Sequence, residues 1–381
     1  MQPRLSIITP SYNQARYLER TILSVIEQAY PNVEHLVIDG NSSDGSLDII
    51  KRYEERLAYW VSEPDRGQSH AVNKALERAT GDWIGWLNSD DYYLPGAFEA
   101  VVSTVSKVES RVGLVFGRGL RVGPDGQDIA PFWPRDPVFN RDALLYGVDY
   151  ILQPTAFIRR EAWRTVGPLD ERLRYCMDYD LWLRLSERFE VGTIPHVVAA
   201  SREHPDSKTR AGGVERWYEI SQMIARHTGG AITPGVVLYL LETLRDLTQT
   251  GRTAPLFGPS FQAVSESLWR KALLPLTAFS ASSDWLPTVD GARPEGADPI
   301  EWMVAGIKRD RGDSPDAEEL LKQVDELTAA LRYWEAQAAV LLEQADASAK
   351  IRFLGGRISH AARRRMGNVV RWLRRIEDKA K

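Results

Sequence analysis

The chain has 381 residues, a formal net charge of −4, 43% apolar and 26% charged residues. That balance suits a globular protein of two or three domains and argues against a surface built broadly for nucleic acid. One cysteine, Cys176, excludes an intrachain disulfide framework and a cysteine-rich metal site, and fits a reducing compartment. No run reaches the ~18 apolar residues that span a bilayer. The N-terminal residues read as a strand rather than a secretory signal, so a cytoplasmic protein is expected.

In chain order, residues 5–9 read as a strand, and Leu18, Ile22, Val25 and Ile26 follow at helical spacing. Strands are expected at 33–39, 58–62 and 82–87, with helices between them: one carries Leu47, Ile49, Ile50 and Tyr53, the other covers 69–79. Pro95 suits the first turn of a helix reaching about 108. This alternation predicts an α/β fold with a largely parallel sheet. At 113–130, Leu114-Val115-Phe116 and the apolar positions of 119–122 flank turn chemistry, with Pro124-Asp125-Gly126 a strong turn signal, so a hairpin is expected. Helices at 160–165 and 179–189 and a strand at 191–201 complete this part.

Beyond 210 the pattern is helical, at 215–227, 235–247 and 260–274, and a Pro/Gly/Asp-rich linker covers 280–298. Ser314-Pro315 caps a long helix whose apolar positions are Leu320, Val324, Leu327, Leu331, Trp334, Ala338, Leu341 and Ala345. Those steps alternate four and three, as in a coiled coil that joins copies of the chain. The alternative is an amphipathic helix packed on its own chain. From 350 to 381, eleven Lys and Arg stand against two acids. A basic amphipathic segment of this kind suits an anionic membrane surface, a protein partner or a solvated tail. The expected organisation is thus 1–210, 211–305, 306–349 and 350–381.

Polar clusters close the predicted strands, at the edge where open α/β sheets bind ligands. They are Thr9-Pro10-Ser11-Tyr12-Asn13, the stretch from Asp39-Gly40 to Asp44-Gly45, Glu63-Pro64-Asp65-Arg66-Gly67-Gln68, Asn88-Ser89-Asp90-Asp91 and Met177-Asp178-Tyr179-Asp180. A last cluster around His204 and Lys208 follows the final strand. The first loop has no G-x-G-x-x-G fingerprint, which argues against a dinucleotide dehydrogenase, and no P-loop is present.

Together, "SIITPSYNQARYLERTILSVIEQAYPNVEHLVIDGNSSDGS", "SEPDRGQSHAVNKALERATGDWIGWLNSDDYYLPGA", "MDYDLWLRL" and "REHPDSKT" resemble family 2 inverting glycosyltransferases of the GT-A fold, of the bacterial surface-polysaccharide type. The resemblance runs over about residues 4–210 and implies a Rossmann-like mixed sheet flanked by helices. It also implies transfer from a nucleotide-diphosphate sugar, with UDP the expected nucleotide, to a glycan or lipid-linked glycan, assisted by Mn2+ or Mg2+. On the donor side it implies Pro10, Tyr12, Asn13 and Asp39, then Asp65, Arg66 and Gln68, then Asn88, Ser89 and Asp90. Asp90, Asp91 and His204 are the implied metal residues, and Asn88 stands where the family commonly has a carboxylate. Lys208 adds a positive charge nearby.

Asp178 matches the catalytic base, preceded here by Met177 where many members have Glu. Gln153 and Asp180 are implied on the acceptor side, the former in a segment reaching Arg159-Arg160. Helical spacing directs Asp180 away from Asp178. Plainer roles stay open: Asx turns for Asp39 and Asp44, a loop His204, and a helix-initiating Asp178. Trp133, Trp163 and Trp182 are candidates for stacking on sugars or for core positions. Rival classes are a sugar nucleotidyltransferase, whose Gly-rich basic triphosphate loop is missing, and a degenerate scaffold acting through its coiled coil.

Overall fold

Alternating side chains along each central strand feed two buried faces, so the sheet needs helices on both sides. A computed structural model describes residues 2–132, 138–205 and 207–229, together with 233, 235, 236, 239, 242 and 243. The expected linker, coiled coil, basic tail and 260–274 helix, together with Trp133, lie outside the described residues, as does most of the 235–247 helix. No described helix is long and apolar enough to cross a membrane.

The elements are β1 (Leu5–Ser11), α1 (Ala15–Ile26), β2 (Val33–Asp39), α2 (Ser46–Arg52), β3 (Tyr59–Ser62), α3 (Gln68–Arg78), β4 (Trp83–Trp86), β5 (Tyr92–Tyr93) and α4 (Ala97–Val105). They continue with β6 (Val112–Val122), β7 (Asp128–Pro131), α5 (Arg141–Tyr146), β8 (Ala156–Arg159), α6 (Arg160–Val166), α7 (Met177–Arg188), β9 (Glu190–Arg202), α8 (Lys208–Ala211) and α9 (Gly213–His227). One sheet runs β3-β2-β1-β4-β8-β6-β9-β5, with β7 paired to β6.

The sheet is mixed, as the family resemblance implies, rather than largely parallel. β3, β2, β1 and β4 are parallel. β8 then runs antiparallel to both β4 and β6, while β9 is parallel to β6. The reversal escapes sequence reading because β8 is four residues long, too short to show a period. The expected hairpin forms between β6 and β7, although 112–122 is one continuous strand. Its pairing with β9 slips register around Arg118, between two glycines.

Ile8, Leu36, Ile38, Ile84, Trp86, Leu114, Phe116 and Ile158 face one cluster, which α7 and α9 cover with Leu181, Leu185, Ile220 and Ile224. Leu5, Ile7, Val115 and Phe157 face the other way, onto Phe98 and Val101 of α4. Gly85 is required between them, because a Cβ there would lie 2.5 Å from the Tyr93 hydroxyl and 2.9 Å from Phe157.

The N-terminal edge is held by Glu34, which is 7% exposed. Its Oε1 accepts from Ser6 Oγ at 2.5 Å, Thr80 N at 2.6 Å and Gly81 N at 3.1 Å, and its Oε2 from Arg4 Nη2 at 2.9 Å. Burial alone would raise this carboxyl's pKa. The Ser6 and Thr80 hydrogen bonds and the Arg4 charge outweigh it and hold the pKa below the usual value. A depressed folded-state pKa gives stability that is present above the unfolded carboxyl value and lost as pH falls through the lower folded one. Glu34→Ala is expected to cost about 2–3 kcal/mol in urea unfolding at pH 7 by orphaning buried donors. The deficit should shrink toward acid pH. Unchanged stability at pH 7 would contradict this role.

Candidate functional site

The parallel strands end in loops that meet at one edge of the sheet. After β1, the Tyr12 ring is 63% exposed. After β2, a Cβ on Gly40 would lie 2.9 Å from Asp65 Oδ2 and 3.2 Å from Tyr12 Cδ2, so glycine keeps this approach open. Tyr12, Gly40 and Asp65 thus lie close together, an exposed aromatic ring beside a carboxylate oxygen. Asp65 is oriented by Gly67 N, which donates to Oδ1 at 2.7 Å.

Several donor-side candidates are committed within the protein. Asp39 is fully buried and accepts from Ser42 N at 2.9 Å, Ser42 Oγ at 2.5 Å and Ser62 Oγ at 2.7 Å. Pro10 is buried within β1. Asn13, with φ of 51°, braces two loops: Ser43 N donates to its Oδ1 and its own N donates to Ser42 Oγ. Arg66 donates from Nε and Nη2 to Glu171 Oε2. Asp44 accepts from Ser46 and from Ala15 N, as a turn-forming Asp does.

Asn88 is the hub of an amide chain. Its Oδ1 accepts from Gln68 Nε2 at 2.6 Å and Trp86 Nε1 at 2.9 Å, and its Nδ2 donates to Gln153 Oε1 at 3.0 Å. Gln153 Nε2 in turn donates to Trp86 O at 2.6 Å. The indole can only donate and the carbonyl can only accept, so both amide orientations follow. Asn88 Nδ2 also lies 3.5 Å from Asp91 Oδ2. A carboxylate at 88 would face Gln153 Oε1 and Asp91 with no proton to offer. Gln153, expected to face an acceptor, has both ends of its amide in this chain.

Asp90 and Asp91 have different partners. Asp91 is 3% exposed, and its Oδ1 accepts from Arg202 N at 2.8 Å. Burial and the adjacent Asp90 charge push its pKa well above the carboxylate range, while Arg202, Ser201 and Asn88 hydrogen bonds oppose them. Arg202 Nε donates to Asp90 O at 3.0 Å, and its guanidinium lies 4.8 Å from the Tyr17 ring centroid. Thr21 Oγ1 donates to Ser89 O at 2.9 Å and Asp91 O at 2.7 Å, so Ser89 serves here through its backbone. Asp90 Oδ2 then lies 3.0 Å from His204 Nε2.

No three described His, Cys, Asp or Glu residues are grouped to hold a metal ion. The Asp90–His204 pair nonetheless fits a divalent ion that completes its shell with phosphate oxygens and water, since Mg2+ commonly takes only one or two protein carboxylates. Asp91, expected beside them, is turned inward to Arg202.

α7 begins at Met177, two residues before the expected start, so Asp178 lies in its first turn rather than ahead of it, and Tyr179 N donates to the Asp178 Oδ1 at 2.9 Å. Burial pushes its pKa up, opposed by backbone hydrogen bonds and the charges of Arg216 and Lys208. Lys208 lies within electrostatic reach of both Asp178 and Asp90. Asp149, which the sequence does not single out, is half-buried and in electrostatic contact with Asp178. Its N donates to Tyr239 Oη at 2.9 Å. Asp180 faces away, 2.8 Å from Arg184 Nε and 3.0 Å from His227 Nε2. Trp163 and Trp182 are fully buried in the core.

The amide chain carries a direct test. Asn88→Asp is expected to lower stability by about 2–4 kcal/mol at pH 7, from lost donors and a carboxylate placed against Asp91. The loss should ease as pH falls. A thermal unfolding midpoint unchanged across pH 5–8 would contradict it.

The model of the family Glycosyl transferase family 2 matches residues 6–167. An uncharacterized glycosyltransferase of Rickettsia typhi is 28% identical over 212 residues, 54% of this chain and 66% of that protein. The chondroitin synthase of Pasteurella multocida is 31% identical over 199 residues, 51% of this chain and 20% of that one. A putative teichuronic acid biosynthesis glycosyltransferase of Bacillus subtilis, TuaG, is 44% identical over 93 residues, 24% of this chain and 37% of that one. The chain thus spans less than two thirds of the length of these relatives. Among solved structures, S. aureus TarS residues 1–349 superpose with a TM-score of 0.50 at 16% identity, covering 86% of this chain and 92% of that one, a likeness of fold. The chain therefore carries a glycosyl transferase family 2 domain, over residues 6–167.

Proposed function

We propose that the chain is an inverting glycosyltransferase that moves a sugar from a nucleotide diphosphate, UDP foremost, to a hydroxyl of a glycan or lipid-linked glycan. The observation that carries this reading is the Asp90–His204 pair at 3.0 Å together with Lys208, which lies within electrostatic reach of both Asp90 and Asp178. The Tyr12–Gly40–Asp65 cluster has the chemistry for a nucleobase: a ring to stack and a carboxylate to accept an N–H. Asp90 and His204 are the residues that would hold Mn2+ or Mg2+. Such an ion supplies charge for the departing diphosphate.

Asp178 removes the proton of the acceptor hydroxyl as its oxygen attacks the anomeric carbon from the face opposite the diphosphate. The new glycosidic bond forms as the anomeric carbon–phosphate oxygen bond breaks, with inversion. The electron pair leaves with the diphosphate and the proton rests on Asp178. The names of the chondroitin synthase and teichuronic acid relatives favour polysaccharide as the acceptor class. Residues 350–381, with their excess of Lys and Arg, suit work at the cytoplasmic face of a membrane, and the heptads at 320–345 suit self-association.

A Mn2+-supplemented screen of UDP-, GDP- and dTDP-sugars for slow hydrolysis tests this function, with water as a surrogate acceptor. Release of sugar from at least one donor is expected. Asp178→Asn should lower that rate on the order of 100-fold or more. The wild-type rate should fall on the acid side at a pH above the ordinary carboxylate pKa, because burial raises Asp178 and the base must be ionised to act. Asp90→Asn should weaken donor binding about tenfold or more. Asp91→Asn, which keeps an acceptor for Arg202 N, should change it less than about threefold. Hydrolysis of no donor, or full activity in Asp178→Asn, would overturn the proposal.

A further inference from the structure

Three consecutive backbone N–H groups, just before α7, converge on one carboxylate from α9. Arg174 N donates to Glu219 Oε2 at 2.8 Å, and Tyr175 N and Cys176 N donate to Glu219 Oε1 at 2.6 and 2.9 Å. The residue at the N-cap of α7, Cys176, makes no side-chain capping bond to the helix. Helix starts leave backbone donors without intrahelical partners, and a carboxylate facing them is favoured by charge-assisted bonds and by the helix dipole. Glu219 fills that place from a different helix.

The same face of α9 repeats the grip. Glu215 Oε2, one helical turn before Glu219, accepts from Tyr175 Oη at 3.1 Å. Arg216 lies close enough to oppose the burial of the Asp178 carboxylate and is itself held by Glu242 at 3.2 Å. Gly212 lets the two segments approach: a Cβ there would lie 2.9 Å from the Tyr175 ring. From α8, Lys208 Nζ donates to Arg174 O at 3.1 Å. Residues 208–219 therefore hold the 174–176 turn through its N–H groups, a carbonyl and a side chain. All of them lie beyond the 6–167 family match.

We propose that Glu219 is a positioning residue for the transfer reaction: by receiving the three amides it sets the start of α7 and hence where the Asp178 carboxylate stands. This rests on Asp178 being the base. The segment after the family domain is then part of the active centre, through a side chain that never meets the substrate. Loosening the turn displaces the base from the acceptor hydroxyl while the nucleotide side, built on β1, β2, β3 and β4, stays in place.

The test compares full-length wild type, E219Q, E219D and D178N in Mg2+-supported UDP binding by calorimetry and in hydrolysis of a UDP-sugar. E219Q turns an NH2 toward backbone donors; E219D keeps the charge but draws it back by about one carbon–carbon bond. Both should lower kcat tenfold or more, leave the sugar-nucleotide KM and the UDP Kd within about twofold, and speed amide exchange at 174–176. If E219Q does not fold, E219D alone carries the comparison. Faster exchange with unchanged kcat would overturn the positioning role, as would kcat and KM moving together. Full activity in D178N would instead overturn the base assignment beneath it.

Discussion

The site depends on one buried contact, the Asp91 carboxylate receiving the backbone N–H of Arg202 at 2.8 Å. It ties the loop after β4 to the end of β9, strands that lie three places apart in the sheet order. Arg202 returns the tie by donating its Nε to Asp90 O. With both segments fixed, His204, two residues past the tie, comes within 3.0 Å of Asp90. The energetic logic is asymmetric. A buried carboxylate has a high solvation cost, so Asp91 is stable only while its donors remain, and removing a donor costs more than the bond contributes.

This division of labour also explains Asn88. A third carboxylate beside Asp90 and Asp91 would add repulsion at a place where Asp91 is already pushed toward its neutral form by burial and by Asp90. An amide can donate to Gln153 and lie near Asp91 while accepting from Gln68 and Trp86. The loop thereby holds two carboxylates rather than three, one paired with Arg202 N and the other with His204.

Much of this was legible in the chain. The apolar runs of β1, β2 and β4 and the polar clusters that end them mark the ligand edge, because strand polarity is set by local pattern. The inward turn of Asp91 was not legible: adjacent acids in a loop look alike until their partners are known, and Arg202 is 111 residues away. Asp149 and Glu219 were hidden for the same reason. Glu219 reads as an ordinary helical acid, and only the packing of α9 against the 174–176 turn reveals its task. The sheet's reversal at β8 lay in four residues that carry no readable period. Asp180 was separable from Asp178 because helical spacing alone directs the two apart.

Two halves of the centre thus come from different parts of the sequence. The loops that carry Tyr12, Asp65 and Asp90 lie within 6–167, whereas Asp178, His204 and their supports follow it. The central claim is that the two halves meet over a metal-bound diphosphate. Calorimetric titration of UDP into the protein with Mg2+, and again with excess chelator, tests it most directly. Saturable binding that chelator abolishes is the predicted result. Equal affinity with and without the ion, or no binding in either, would contradict it.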